Sequence, residues 1–379
     1  MRIAHVITGT NTGGAERMLH KLSVALAARG HEQLVVSMIP TGPVGRAMLA
    51  DGIEVRSLNA RRGALQPGRL LATARLLNLF APNILQSWMY HADLLCTLAR
   101  PMLRPKPVHL WNVRGSTRNF DDYGRSTRRV VKLCARLSKI PSAVIVNSEA
   151  GRKDHELFGY NPRRWQVLPN GFDTLRFCPD AAAARRLRAQ FGLELDSRLV
   201  AVVARAHPMK DHRNFLAALA QLTPKHPKLH ALLIGPGISA DTPLIREALA
   251  ATGTKNQITL VGPREDIDKI LPGMDLLCLP SASGEGFPNV VGEAMACGVP
   301  CVVTEVGDSA LIVESTGIAV APKDPTALAT AMAMLLDEAP KEHRARSVAC
   351  RKQIEENYTI EAITDRYETL YTQLLEEGV

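Results

Sequence analysis

The sequence predicts an α/β protein of two domains, each built on a parallel sheet. Three observations carry this. The 379 residues exceed what a single ordinary core organises. Short apolar runs that read as strands alternate with stretches of helical periodicity. Residues 276–313, LLCLPSASGEGFPNVVGEAMACGVPCVVTEVGDSALIV, read as one complete strand–loop–helix–strand unit. In that unit 276–279 is a buried strand and 281–286 a loop of small residues. Residues 289–297 form a helix with Asn289 as N-cap and Gly298 as its stop, and 300–304 is the next strand.

Residues 2–8 form an apolar strand, followed by Gly9, Asn11, Thr12, Gly13 and Gly14 and a helix over 15–29. Its apolar positions Met18, Leu19, Leu22 and Leu26 keep helical spacing. This is a Rossmann-like opening without the G-x-G-x-x-G fingerprint, so NAD is weakly supported. Gly13 and Gly14 either let a ligand approach the backbone or make a plain tight turn. Strands over 33–38 and 83–88 and helices over 41–49 and 69–80 follow. His91 then stands at a strand's carboxyl end, where open α/β sheets bind ligands, although a lone His is most often structural. Asp93 either orients its imidazole or caps a helix. Strand 108–113 ends at Arg114, which either clamps a phosphate bidentately or pairs with Asp121 or Asp122.

Residues 100–139 hold eleven Lys and Arg and two acids. Arg125, Arg128, Arg129, Lys132, Arg136 and Lys139 fall on one helical face, and Val130, Leu133, Cys134 and Leu137 on the other. Such a helix lies on an anionic membrane surface or packs as a globular helix with a solvated basic face. Strand 143–146 follows, and 167–173 closes the first domain.

The second domain opens with strand 199–203. Arg205 and Lys210 stand in the next loop, at the mouth of a helix starting near Asp211, and form an anion site. Strands 231–234 and 258–261 follow, and Arg264 after the latter is an edge for a nucleobase. Glu285 sits just before the 289–297 helix and Glu293 inside it. The helix N-terminus suits a phosphate, and carboxylates on either side suit hydroxyls, as a nucleotide sugar requires. Two Glu at arbitrary spacing would otherwise be surface acids. Helices over 326–336, 341–357 and 360–375 end the chain.

Charge is uneven. Residues 1–178 hold 26 Lys and Arg against 11 Asp and Glu, while the whole chain carries +9, so the second half is acidic. The first half therefore meets something anionic. Nucleic acid is not expected: aromatics are few and no binding motif is present. No apolar run approaches the roughly 18 residues of a membrane helix. No signal peptide is read at the N-terminus. Seven scattered Cys without a C-x2-C pair fit a reducing cytosol.

The block GEGFPNVVGEAMACGVPCV resembles the C-terminal signature of the family 4 retaining glycosyltransferases, which have the GT-B architecture of two Rossmann-like domains facing a cleft. The resemblance implies that Glu285 contacts the donor sugar and Glu293 the ribose hydroxyls. Many members have Gly where this chain has Pro288, which lacks an N–H, so backbone contacts fall to Phe287, Asn289 or Val290. SWMYHADLL resembles the segment whose His approaches the donor sugar, here His91. The Arg205-x4-Lys210 spacing matches the pair that holds the donor diphosphate, and Gly13-Gly14 the segment lining the cleft. VLPNGFDTLRF resembles the interdomain crossover.

The resemblance implies domains over 1–175, completed by helix 360–379, and 180–359. The implied reaction moves a sugar from a nucleotide diphosphate donor to a hydroxyl acceptor with retention. His91, Arg205, Lys210 and Glu285 are the expected catalytic residues. Gly14, Phe287, Asn289, Val290, Glu293 and Arg264 are expected to bind donor, and Gly13 and Arg114 to lie on the acceptor side. No metal or other cofactor is expected. The expected acceptor is a glycan or lipid-linked intermediate of surface polysaccharide synthesis, met in the cytoplasm at the inner face of a membrane, with the 100–139 segment on that surface. The rival readings are a GT-B sugar-nucleotide epimerase and a non-catalytic nucleotide-sugar-binding module.

Overall fold

The computed structural model describes residues 1–60, 67–117, 120, 123–252 and 255–378. The chain divides into two compact units, Met1–Gly171 with Ile360–Val379, and Phe172–Thr359. The division falls at 171/172, earlier than the expected 175–180. Phe172 already belongs to the second unit: its amide donates to the Tyr358 carbonyl at 2.8 Å and its fully buried ring lies in that unit's core.

The first unit carries strands β1 (Arg2–Ile7), β2 (Glu32–Ser37), β3 (Glu54–Ser57), β4 (Ile84–Trp88), β5 (Val108–Val113), β6 (Ala143–Val146) and β7 (Trp165–Val167). Helices α1 (Gly14–Ala28), α2 (Pro43–Ala50), α3 (Pro67–Phe80), α4 (Tyr90–Ala99), α5 (Arg125–Leu137) and α6 (Glu149–Phe158) connect them. The strands are parallel in the order β3-β2-β1-β4-β5-β6-β7. A parallel sheet is covered on both faces, so its strands read as apolar runs rather than alternating ones. In β1, Ile3 and Ile7 pack with Met18, Leu19, Leu22 and Leu26 of α1, while Ala4 and Val6 pack on the other side with Leu77 and Leu95. The one polar side chain between them, His5, is fully buried and satisfied. Trp88 Nε1 donates to its Nδ1 at 3.2 Å, so Nε2 donates to Gln33 Oε1 at 3.1 Å.

The second unit carries β8 (Arg198–Val203), β9 (Leu229–Ile234), β10 (Ile258–Gly262), β11 (Leu276–Leu279), β12 (Cys301–Thr304) and β13 (Ile318–Val320). Its helices are α7 (Ala183–Gln190), α8 (His212–Leu222), α9 (Pro243–Thr252), α10 (Ile267–Ile270), α11 (Asn289–Ala296), α12 (Ser309–Val313), α13 (Pro325–Leu336) and α14 (Pro340–Asn357). The sheet is again parallel, in the order β10-β9-β8-β11-β12-β13. Each sheet thus reverses its winding once, between β1 and β4 and between β8 and β11. Open α/β sheets bind ligands in the crevice outside the carboxyl ends of such a strand pair.

The last helix, α15 (Ile360–Glu376), returns to the first unit. Ile363, Leu370 and Leu374 enter the core that holds α1. Tyr371 donates to Gln86 Oε1 at 2.5 Å, and Tyr367 accepts from Asn112 Nδ2 at 2.9 Å. Arg29 and His31 pair with Asp365 and Glu368, each at 2.6 Å. Among the described residues no helix is long and apolar enough to cross a membrane.

Candidate functional site

The two winding reversals collect most of the residues singled out by sequence. In the second unit, β8 runs out into the Arg205–Lys210 loop and β11 into the Glu285 loop. Asp211, directly after Lys210, has left-handed backbone (φ 43°, ψ 52°) and caps α8 by accepting from the Asn214 amide at 3.2 Å. Asp tolerates that conformation better than most residues. Lys210 Nζ meets Glu285 Oε1 at 2.5 Å, and Ser281 Oγ donates to the same oxygen at 2.5 Å. The Glu285 side chain is 9% exposed and Lys210 22%. The backbones are tied as well, Ala282 donating to the Met209 carbonyl at 2.8 Å.

The far side of the Glu285 loop is held by the loop after β12. Asp308 donates to the Gly286 carbonyl at 2.8 Å, and Gly307 (φ 64°) lies so close that a Cβ would stand 2.5 Å from the Glu285 carbonyl. Only glycine fits that position. Glu285 is therefore fixed from both sides. Lys210 spends one of its three donors on Glu285 and keeps two for a ligand. Arg205 is exposed and makes no ion pair among the described residues.

Helix α11 begins at Asn289, but the N-cap is Pro288 (φ −73°, ψ 110°), with no side chain capping the helix. Asn289 is thus the first helical residue rather than the cap, with Val290 next to it and Glu293, half-buried, one turn on. Phe287 is 6% exposed; its ring stacks on Phe172 at 6.0 Å and meets Tyr358 at 5.4 Å. Its side chain is core, so only its backbone can serve a ligand. Arg264 is engaged locally: its Nε and Nη2 donate to Asp266 Oδ1 and Oδ2 at 2.7 and 2.6 Å, which takes up that edge of the guanidinium and leaves Nη1 outside the pair.

The same contact bears on metal binding. Asp266-Ile267-Asp268 is an Asp-x-Asp spacing that sequence reading overlooked. Asp266 is held by Arg264 and Asp268 by Arg176 at 3.0 Å, so both carboxylates carry cationic partners. Among the described residues no group of three His, Cys, Asp or Glu is arranged to hold a metal ion.

In the first unit the β1 and β4 ends meet around a cavity of about 960 Å³, lined by Gly9, Asn11, Thr12, Glu16 and His91 and by one side of α5. His91 is the second residue of α4. Met89 before it is in a backbone region few residues other than glycine adopt (φ 69°, ψ 157°), and that turn sets the start of the helix. Burial lowers the His91 pKa, so the imidazole is neutral at physiological pH. Asp93 neither orients it nor caps α4. Asp93 is fully buried, accepts from Ser87 Oγ at 2.6 Å, and is pushed up to about 8 by burial.

Gly13 caps α1 and Gly14 is its first residue. A Cβ on Gly13 would stand 2.3 Å from Glu16 Oε2, because the Glu16 carboxylate folds back over it. Burial raises the Glu16 pKa. Sequence reading missed Glu16, whose one signal was its place three residues into the helix after Gly13. Arg114 is taken up by its own unit. Its guanidinium donates to Asn112 Oδ1 at 3.0 Å, to Tyr367 Oη at 2.5 Å and to Asn170, and stands 5.2 Å from the Trp88 ring. It ties α15 to β5 and carries no open fork for an acceptor phosphate. Asp121 and Asp122, its alternative partners, lie outside the described residues.

Helix α5 has the predicted basic character with a different apolar face. Val130, Val131 and Cys134 are buried, whereas Leu133 is 38% exposed and lines the cavity with Val130. Lys139 lies beyond the helix end.

Residues 12–176 match the family described as Glycosyltransferase Family 4, and residues 197–338 the family described as Glycosyl transferases group 1. The D-inositol 3-phosphate glycosyltransferase of Corynebacterium efficiens is 28% identical over 292 residues, 73% of this chain and 68% of that protein. The protein of the same name from Corynebacterium kroppenstedtii is 32% identical over 207 residues, 52% of this chain and 46% of that relative, so the match spans less than half of the relative's length. The Anabaena HepE structure in complex with UDP superposes with a TM-score of 0.84 at 22% identity, covering 98% of this chain and 100% of that one. Another HepE structure holds UDP-glucose.

Proposed function

The chain belongs to the family 4 glycosyltransferases, with their two-domain α/β GT-B fold, and from this premise we propose that it is a retaining hexosyltransferase. It takes the sugar from a uridine diphosphate donor and passes it to a hydroxyl of a lipid-linked glycan in surface polysaccharide assembly. HepE, which holds UDP and UDP-glucose on the same fold, supports the donor. The observation that carries the proposal is the Lys210–Glu285 pair outside the β8 and β11 carboxyl ends, with Glu285 in the loop that leads into α11.

In this reading the donor diphosphate lies against Arg205, the two remaining Lys210 donors and the α11 N-terminus. These oppose the charge that grows as the bond from C1 to the phosphate oxygen breaks. The acceptor oxygen bonds to C1 on the same face, and its proton passes to the departing phosphate oxygen. Glu285 positions the sugar by accepting hydrogen bonds from its hydroxyls, and Glu293 accepts from the ribose. Neutral His91 donates to or accepts from the sugar without adding charge. No step uses a divalent ion, so turnover is expected to persist in EDTA.

The test is incubation with UDP-glucose and an alkyl glycoside acceptor. UDP release is followed and the product's anomeric coupling is read by NMR. An acceptor-dependent product with the donor's α configuration is expected. A β product contradicts retention, and an isomerised donor formed without acceptor replaces the transferase reading by the epimerase one.

A further inference from the structure

Helix α5 does not present a single basic face. Arg125, Arg129 and Leu133 recur every four residues and fall on one stripe, and all three line the cavity that holds His91 and Glu16. Lys132 and Arg136 do not line it. Neither Arg125 nor Arg129 has a carboxylate partner among the described residues. Two unpaired guanidiniums beside the first turn of a helix, whose N–H groups point outward, are an arrangement for a phosphate.

One part of the wall is apolar. Ile39, Leu94, Val130 and Leu133 line it, and Leu133 is a leucine left part-exposed there. The uncharged and acidic polar groups are His91, Glu16 and the 8–12 loop, with Ser126 and Thr127 beside Arg125 on α5. The cavity thus has a cationic part, an apolar part and a hydroxyl-binding part.

We propose that this cavity is the acceptor subsite and takes a phosphorylated acceptor, with its phosphate on Arg125 and Arg129 and an apolar chain along Leu94, Val130 and Leu133. The inference rests on the transferase reading and adds to it which acceptor group is recognised and by which residues. Two sources carry this phosphate, a prenyl phosphate and a polyol phosphate; the apolar wall favours the prenyl one.

The experiment is calorimetric titration in vesicle-free buffer with geranyl phosphate, geraniol and myo-inositol 1-phosphate. It uses the full chain, the Arg125→Ala/Arg129→Ala variant and a Lys132→Ala/Arg136→Ala variant. UDP binding is measured in parallel for each. Geranyl phosphate is expected to bind the unaltered protein, to weaken about tenfold or more in the first variant and to hold in the second, with geraniol weaker throughout. If myo-inositol 1-phosphate binds as tightly and depends on the same arginines, the phosphate contact stands and the apolar chain is overturned. Equal weakening in both variants, or no binding of either phosphate while UDP still binds, overturns the subsite and leaves the donor reading intact. Loss of UDP binding in the unaltered protein overturns both.

Discussion

Lys210 and Glu285 lie 75 positions apart in sequence and meet at 2.5 Å, each at the end of one of the two strands where the second sheet reverses its winding. The contact couples the group that would hold a diphosphate to the group that would position a sugar. It also makes one of them costly to remove.

Arg205 and Lys210 should therefore part company on mutation. Arg205 is exposed, and Arg205→Ala is expected to lower turnover about a hundredfold while shifting stability by no more than about 0.5 kcal/mol. Removing one partner of a fully buried ion pair costs about 3–5 kcal/mol. With Lys210 22% exposed, Lys210→Ala should cost roughly half that in addition to activity. Denaturant melts of Lys210→Met, Glu285→Gln and the double variant measure it. A double variant as unstable as the sum of the singles would remove the coupling.

Helix α11 is positioned by an aromatic ring rather than by a cap. A Cβ on Gly292 would stand 2.1 Å from the Phe172 ring. Gly292→Ala should push the helix off its seat, costing about 1–3 kcal/mol and raising the donor KM through displaced Asn289 and Glu293. An unchanged melting temperature would show that the ring yields instead.

Stability should peak in mildly acidic solution. The Asp93 carboxyl is raised from 3.8 to about 8 by burial. The folded chain keeps that proton where the unfolded chain has lost it, so stability falls as pH rises from the usual carboxyl range through about 8. Cys96, Cys134 and Tyr90, which face it, are pushed up as well and stay neutral there. The His109 ring, fully buried without a hydrogen-bond partner among the described residues, is lowered from 6.5 to about 3. The unfolded chain takes up that proton first, so stability falls as pH drops below about 6.5. Asp93→Asn should flatten the alkaline limb of the melting temperature against pH and steepen the acid limb between about 4 and 6.5, where the Asp93 and His109 contributions oppose one another. Parallel alkaline limbs for the two proteins would refute the assignment.

The exposed cations of α5 outside the cavity, Lys132 and Arg136, give the membrane expectation a direct check. Co-sedimentation with phosphatidylglycerol vesicles is expected at low salt and should fade as the Debye length shortens. Lys132→Glu/Arg136→Glu should abolish it. Salt-independent binding, or none, would set the membrane surface aside.

The sequence was legible where packing dictates residue type. Buried parallel strands must be apolar on both faces, and β1, β5, β6 and β11 stood out for that reason. β3 (EVRS) and β13 (IAV) were missed because they are short, half-exposed edges of their sheets. α6 was missed because its run, EAGRKDHELF, is largely charged. The apolar face of α5 was misread by one step: Leu133 fits the helical period as well as Val131 does, and only the cavity decides between them. At the site, residue types were readable and partners were not. Nothing in the local sequence says that Arg114 is spent on Tyr367, 253 positions away, or that Lys210 reaches Glu285; the first follows from the docking of α15 and the second from strand order, whereas the Arg264–Asp266 grip is local, two residues apart, and was legible in principle.

The most direct measurement is titration with UDP, GDP, ADP and dTDP of the unaltered protein and of Arg205→Ala. The account predicts that UDP binds and that Arg205→Ala weakens it about tenfold, with the fold intact by its melting temperature. UDP binding that ignores Arg205, or no binding of any of the four, would contradict it.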